Sequence, residues 1–476
     1  RRPFHTFIVD DQREWTGLML WMATQHIGRA VAKASDRDRI GVYLPTSGAV
    51  AAAMAGIWSR GRTVVPLNYL LSHSELDYII KDAELDLVLT AGPMIERFGA
   101  LPGGVKEIRI EELSMRRIPP FHRAARCDES DTAVLLYTSG TSGFPKGVML
   151  TNRNLNSNVQ QCIAKADFDR EMTFLGVLPQ FHSFGLTVTT LLPLTIGAKV
   201  VYTAQFKVSK VLKLLREHRP TAFMAIPSMY NALLQSKSAG PDDFTSLAFV
   251  VSGGEPLPDA VYDGFKSRFN VRICEGYGLT ETAPVTNWTL AHEERRGTVG
   301  RPLPGVEEVI VGEDGAHLPP GVDGEIRIRG DNIMAGYFKL PEATSAAFDE
   351  NGYFRTGDMG RIDEEGFLSI TGRIKEMLII SGENVFPREI EEVLNRHDAI
   401  SDCAVIGQQD DARGEVPIAF VELVDGGVFD EKQIRQFCRE SLPAFKVPRS
   451  ITVLEALPRN PTGKIQRRAL KGELAP

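Results

Sequence analysis

The stretch Tyr137-Thr138-Ser139-Gly140-Thr141-Ser142-Gly143-Phe144-Pro145-Lys146-Gly147 alternates small hydroxyl residues with glycines and ends on a single lysine. It follows the apolar run Ala133-Val134-Leu135-Leu136, which predicts a buried strand. A loop of this kind can turn backbone N–H groups and the hydroxyls of Thr138, Ser139, Thr141 and Ser142 toward one polyanion, with Lys146 adding positive charge. The spacing of Gly140, Gly143 and Lys146 does not fit G-x-x-x-x-G-K-[ST], so this is not a Walker A loop. A flexible linker shares the composition but needs neither a buried strand before it nor Pro-Lys-Gly at its end.

Further segments carry compatible chemistry. In Glu275-Gly276-Tyr277-Gly278-Leu279-Thr280-Glu281 the glycines let backbone approach a nucleotide and Tyr277 offers a flat face for adenine. Thr280 can bond an α-phosphate, and Glu281 can hold a Mg²⁺ that bridges phosphate oxygens. The plain alternative is a tight turn with Glu281 as a helix-start acid. Ser252-Gly253-Gly254-Glu255-Pro256-Leu257 ends a strand on a glycine pair, for which an ordinary turn competes. Asp358, in Tyr353-Phe354-Arg355-Thr356-Gly357-Asp358, could accept both hydroxyls of a ribose, although acids after glycine are common in turns. His182, in Phe181-His182-Ser183-Phe184-Gly185, sits in an apolar setting where a hydrogen-bonded core histidine is the commoner outcome.

With Gly372-Arg373-Ile374-Lys375-Glu376 and Pro461-Thr462-Gly463-Lys464, these motifs run in one order over roughly residues 7–470. Together they resemble the adenylate-forming superfamily of acyl-CoA synthetases, peptide-synthetase adenylation domains and firefly luciferase. The resemblance implies that Gly253, Gly254 and Glu255 pass beside the adenine and acyl group, and that Asp358 and Arg373 contact ribose or phosphate. It implies that Lys375 is a hinge and that Lys464 supplies charge for the first chemical step. Gly382, in Ile379-Ile380-Ser381-Gly382-Glu383-Asn384, would line the path of a pantetheine thiol. ATP, Mg²⁺ and coenzyme A are the implied cofactor and co-substrates, with acyl carrier protein as an alternative acceptor. A sensor that binds acyl groups or nucleotides without chemistry is the rival reading. Intact Glu281, Asp358, Arg373 and Lys464 argue against it.

His182 would then flank the acyl site and orient the carboxylate. Amino-acid-activating relatives carry an Asp here, and none lies between Phe174 and Lys199. The apolar set Phe184, Leu186, Val188, Met224, Ala225, Ile226, Met229 and Val285 points to a medium- to long-chain fatty acid. The small residues Ala222, Ala225 and Ser228 are expected to leave room along one wall. His5 and Asp10 have the spacing of a glycerol-phosphate acyltransferase motif, but no such domain surrounds them.

With 476 residues and ordinary apolar and charged fractions, the chain exceeds one core and predicts at least two domains. Its net charge of −7 argues against nucleic acid as a partner. The five cysteines lack metal or redox spacing and suit reduced thiols. No apolar stretch reaches membrane-span length, so a cytoplasmic location is expected, with attachment at a membrane surface left open. Strand-like runs at 39–44, 85–89, 221–226 and 247–251 alternate with helical stretches at 209–218 and 258–269, predicting α/β layering. From about 297 to 373, short β segments with Gly-Asp and Glu-Gly turns predict a barrel-like β subdomain. A compact α/β tail follows, with helices at 387–396 and 431–441. The expected division is a large domain over 1–374 holding acyl group and ATP, and a small mobile domain over 375–476.

Overall fold

The computed structural model describes residues 2–113, 118–119, 121–138, 145–293, 295–410, 413–424, 426–459 and 465–472. Two largely parallel sheets carry most of the chain before residue 300. The eight-stranded sheet runs Val285–Trp288, Cys274–Gly278, Phe249–Ser252, Ala222–Ala225, Thr173–Gly176, Lys199–Tyr202, Thr6–Val9, Glu14–Thr16. Its six inner strands are parallel and the outermost strand at each edge is antiparallel. Sequences such as Phe-Val-Val-Ser and Lys-Val-Val-Tyr suit strands covered on both faces, because their central residues are apolar on either side. Helices Val208–His218 and Asp259–Phe269 supply part of that cover, burying Val211, Leu212, Leu215, Val261 and Phe265.

The seven-stranded sheet runs Gly336–Tyr337, Lys146–Thr151, Thr132–Thr138, Thr63–Pro66, Arg39–Val42, Leu87–Thr90, Lys106–Arg109. The segment after Leu136 is therefore a hairpin. Thr132–Thr138 turns back into the antiparallel strand Lys146–Thr151, and Thr138 pairs with Lys146 across its open end. The β-rich segments beyond 300 form a four-stranded antiparallel sheet, Val306–Val311, Gly324–Gly330, Phe354–Ile362 and Leu368–Arg373.

From Leu378 onward a fourth sheet combines Leu378–Ile380, Glu383–Val385, Ile400–Asp410, Gly414–Leu423 and Ser450–Val453 with helices Pro387–Leu394 and Glu431–Ser441. Leu378, Ile390, Val405, Val421 and Ile434 make an apolar core there that is separate from the N-terminal ones. The first helix exposes charge on one side and buries Ile390, Val393 and Leu394 on the other, which is the amphipathic pattern that seats a helix on a sheet. The two parts meet through Arg396, whose Nη2 lies 2.9 Å from Oδ2 of Asp259, and through Arg388, which donates to the Ile370 carbonyl at 2.6 Å. All five cysteines are free thiols. Among the described residues, no helix is long and apolar enough to cross a membrane.

Candidate active site

A cleft of about 1630 Å³ opens at the carboxyl ends of the central parallel strands, where ligands of open α/β sheets characteristically sit. Thr138, His182, Gly253, Gly254, Glu255, Gly276, Tyr277, Gly278, Thr280, Glu281, Asp358, Arg373, Lys375 and Lys146 all line it. These candidates come from separate strands and turns, brought together by the crossing of two sheets. Ser139, Gly140, Thr141, Ser142, Gly143 and Lys464 lie outside the described residues. Their neighbours do border the cleft: Thr138, Pro145 and Lys146 for the loop, Arg459 and Ile465 for the lysine. Arg459 and Ile465 pair as an isolated antiparallel bridge around the intervening segment.

Local geometry explains the glycines. A Cβ on Gly278 would stand 1.9 Å from the Pro284 carbonyl oxygen, and one on Gly185 would stand 2.2 Å from that of Pro179. Neither position accepts a side chain. Gly253 faces Phe184, whose ring comes within 3.0 Å of where a Cβ would be, so any larger residue would intrude on the cleft. Past Gly278, a short turn Thr280–Thr282 presents Thr280 and Glu281 to the opening. The Thr280 hydroxyl pairs with Ser183 Oγ at 3.3 Å, and both side chains are buried. His182 caps the short helix Ser183–Leu186, its Nδ1 accepting from the Phe184 N–H at 3.4 Å, which leaves the ring proton on Nε2.

Tyr277 donates from its phenol to Oδ2 of Asp358 at 2.6 Å, and Arg373 Nε lies 2.9 Å from Oδ1. Asp358 is only 2% exposed, so its carboxylate is fixed by two donors on two elements. Asp358 in turn holds the Arg373 guanidinium above its ordinary range. Burial, then the charge of Arg373, lowers the Lys375 ammonium. On the opposite side of the cleft, Tyr337 donates to Oε1 of Glu281 at 2.9 Å, and the Lys146 ammonium lies 4.8 Å from the centre of the Tyr337 ring. Tyr337 and Ser183 were not among the expected residues. Ser183 stood beside His182 in the same motif, whereas Tyr337 reaches the site only by pairing with the hairpin strand. Among the described residues no group of three or more His, Cys, Asp or Glu could hold a metal. A lone carboxylate still suits Mg²⁺, which takes one or two protein carboxylates and completes its shell with phosphate oxygens and water. Glu281 fits that requirement: Oε1 takes the Tyr337 phenol, and Oε2 has no hydrogen-bond partner among the described residues.

The expectation for the acyl wall needs correction. Met224 lines the cleft but its strand neighbour Ala225 does not, because successive side chains of a strand face opposite ways. Ala222 lies at the far end of the same strand, and Leu186, Ile226 and Met229 pack into the core instead. Ser228 does face the cleft, on a helix (Pro227–Gln235) whose Asn231, Leu234 and Gln235 follow it at helical spacing. Gly382, expected on the path of a thiol after rotation at Lys375, stands outside the cleft in this arrangement. It occupies the tip of the hairpin Leu378–Ile380/Glu383–Val385, where Ser381 and Gly382 have φ of 54° and 88° and nothing lies within 4 Å of a Gly382 Cβ. Asp10, whose motif-like spacing with His5 was set aside for want of a surrounding domain, has a structural role: it accepts from Trp15 Nε1 at 2.8 Å and from the Gly48 N–H at 3.0 Å.

Parallel sheets end here on glycine-bordered turns, with the buried Asp358 and the separate acid Glu281 on one cleft. The AMP-binding enzyme family model matches residues 1–338, and the AMP-binding enzyme C-terminal domain matches 389–464. The chain belongs to this family, the adenylate-forming superfamily, in the branch of the acyl-CoA synthetases. It is 32% identical over 479 residues to a long-chain-fatty-acid–CoA ligase of Bacillus subtilis, covering 92% of this chain and 85% of that protein. It is 34% identical over 460 residues to a sulfoacetate–CoA ligase of Cupriavidus necator, covering 93% and 89%. ATP-bound MatB from Rhodopseudomonas palustris superposes with a TM-score of 0.90 at 28% identity, covering 99% of this chain and 96% of that one. The apo form of MatB gives 0.80 at 29% identity over the same shares of the two chains.

Proposed function

We propose that this chain is an ATP-dependent, AMP-forming acyl-CoA ligase for medium- to long-chain fatty acids. The observation that carries the reading is the convergence of Thr280, Glu281, Tyr277, Asp358, Arg373 and Lys146 on one cleft that the segment flanking Lys464 also borders. In the first step a carboxylate oxygen attacks the α-phosphorus of ATP, the bond to the bridging oxygen of the β-phosphate breaks, and pyrophosphate leaves. Two anions must meet, so the site needs donors and cations aimed at the developing charge. Thr280 and Lys464 meet that need at the α-phosphate, and Lys146 with its loop meets it at the leaving group. Asp358 and Arg373 fix the ribose, and His182 orients the acid. A Mg²⁺ on Glu281 would neutralise phosphate charge. In the second step a thiol sulfur attacks the acyl carbon and AMP departs.

The arrangement of the two domains supports a division of labour, with the boundary and hinge at Lys375. Arg459 and Ile465, the described residues on either side of Lys464, border the cleft while Gly382 stands outside it, and the fold lies nearer to ATP-bound than to apo MatB. This is the arrangement that the first step requires. Rotation at Lys375 would withdraw Lys464 and carry Gly382 toward a pantetheine thiol. Coenzyme A is the favoured acceptor, because the similar proteins are named as CoA ligases.

For the acid, the stretches 181–188, 224–235, 251–254 and 284–288 contribute no Asp, Glu, Lys or Arg side chain to the cleft. A second carboxylate or an ammonium would be buried there without a partner, at a cost of about 1–3 kcal/mol or more. Phe184, Val188, Met224 and Val285 offer apolar contact to a hydrocarbon tail. A pyrophosphate-release screen over carboxylic acids of graded length tests the reading. It predicts rising apparent affinity with chain length up to a limit. Best turnover on acetate, an amino acid or an aromatic acid would replace the substrate assignment.

A further inference from the structure

Tyr337 belongs to the two-residue strand Gly336–Tyr337, which pairs antiparallel with Lys146–Thr151 so that Tyr337 stands opposite Val148. Its backbone is closely fixed. Gly336 has φ of 142°, a Cβ there would meet Thr344 at 2.6 Å, and the Tyr337 N–H donates to Thr344 Oγ1 at 2.9 Å. From this anchored position the side chain makes two contacts of different kinds. The phenol donates to Oε1 of Glu281 at 2.9 Å, and the ring face receives the Lys146 ammonium at 4.8 Å. Burial first, then the charge of Glu281, holds the phenol above its ordinary range, so it remains an O–H donor at neutral pH. The Glu281 backbone is held independently, its carbonyl accepting from the Met334 N–H at 2.8 Å.

We propose that Tyr337 is a positioning residue for the metal and for Lys146. The assignment rests on the adenylation reading given above. A carboxylate on a short turn can rotate about its last torsion, and a cation site needs that rotation frozen. The hydroxyl of Tyr337 occupies Oε1 and thereby presents Oε2 to a divalent cation riding on the triphosphate. The ring of the same residue gives Lys146 a resting place before nucleotide arrives. A cation–π contact is weaker than a charge-assisted bond to phosphate, so the lysine exchanges one for the other on binding. One side chain thus sets the starting positions of both charges that meet the triphosphate.

Calorimetric titration of the full chain with ATP, once in Mg²⁺ and once in EDTA, tests this without turnover. Wild-type protein is expected to bind ATP more tightly with Mg²⁺. Tyr337→Phe keeps the ring and removes the hydroxyl. It should bind metal-free ATP within about twofold of wild type, while the gain conferred by Mg²⁺ falls about tenfold, the low end for loss of a group that orients a metal ligand. A raised Mg²⁺ concentration should restore the bound fraction. If the variant keeps the full Mg²⁺-dependent gain, the assignment of Tyr337 is overturned and the adenylation reading stands. If it loses metal-free ATP binding as well, Tyr337 is structural and the assignment is again overturned. If wild-type protein binds no ATP, the adenylation reading fails and takes this assignment with it.

Discussion

The phenol of Tyr277 and the carboxylate of Asp358 meet at 2.6 Å between a strand of the large parallel sheet and a strand of the small antiparallel one. Arg373 closes the other carboxylate oxygen at 2.9 Å. The acid is therefore aimed before nucleotide arrives, and each of its oxygens keeps a lone pair for a ribose hydroxyl. Asp358→Asn retains the size, keeps one acceptor oxygen and forfeits one charge-assisted bond. Hydrogen bonds to a charged group contribute about 1.5–3 kcal/mol, so the Kd for ATP should rise by about one to two orders of magnitude. Tyr277→Phe, which leaves Arg373 in place, should have the smaller effect. Equal Kd values for wild type and Asp358→Asn would remove Asp358 from ribose recognition.

Glu281→Gln keeps the hydrogen bond to Tyr337 possible and abolishes the charge for a metal. Pyrophosphate release should fall by about two orders of magnitude or more at ordinary Mg²⁺, with an unchanged thermal midpoint. Near-normal release would place the metal elsewhere.

The cleft wall built by the helix Pro227–Gln235 is the place to shorten the acyl site. Ser228→Trp should shift preference toward shorter acids, each methylene excluded forfeiting about 0.8 kcal/mol of burial. Ala225→Trp should instead destabilise the fold, because Ala225 is fully buried in the sheet. Chain-length profiles and unfolding midpoints of the two variants separate these effects. An unchanged profile for Ser228→Trp would move the acyl tail to another wall.

Glu308 gives a pH prediction. Burial pushes its carboxyl up to about 8, Oε1 has no partner among the described residues, and Oε2 accepts from Asn287 at 3.0 Å. Between the ordinary glutamate range and about 8 the folded chain holds a proton that the unfolded chain has released, so stability falls as pH rises through that window. Glu308→Gln cannot titrate. It should match wild type near pH 5 and exceed it near pH 8 by on the order of 2 kcal/mol in urea unfolding. Parallel stability curves would show that Glu308 does not titrate there.

That Gly253, Gly276, Tyr277, Thr280, Glu281 and Asp358 share one cleft was legible because they lie in contiguous glycine-bordered segments, whose composition reflects a single local task. Strands such as Phe249–Ser252 and helices such as Asp259–Phe269 were legible for the usual reason, periodicity. Tyr337 was not, since it enters the site through a strand pairing with residues nearly two hundred positions away. The acyl wall was only half legible. Met224 and Ala225 could not both face one cleft, and strand alternation alone would have excluded the pair, but which of the two faces inward depends on the packing of the whole sheet.

The most direct test of the central claim separates the two half-reactions in Lys464→Ala. Formation of acyl-adenylate from ATP and fatty acid should fall by about three orders of magnitude, the scale seen when a donor aimed at developing charge is removed. Thioester formation from supplied acyl-adenylate and coenzyme A should stay near wild type, because rotation at Lys375 withdraws Lys464 before that step. Equal losses in both half-reactions would contradict the account.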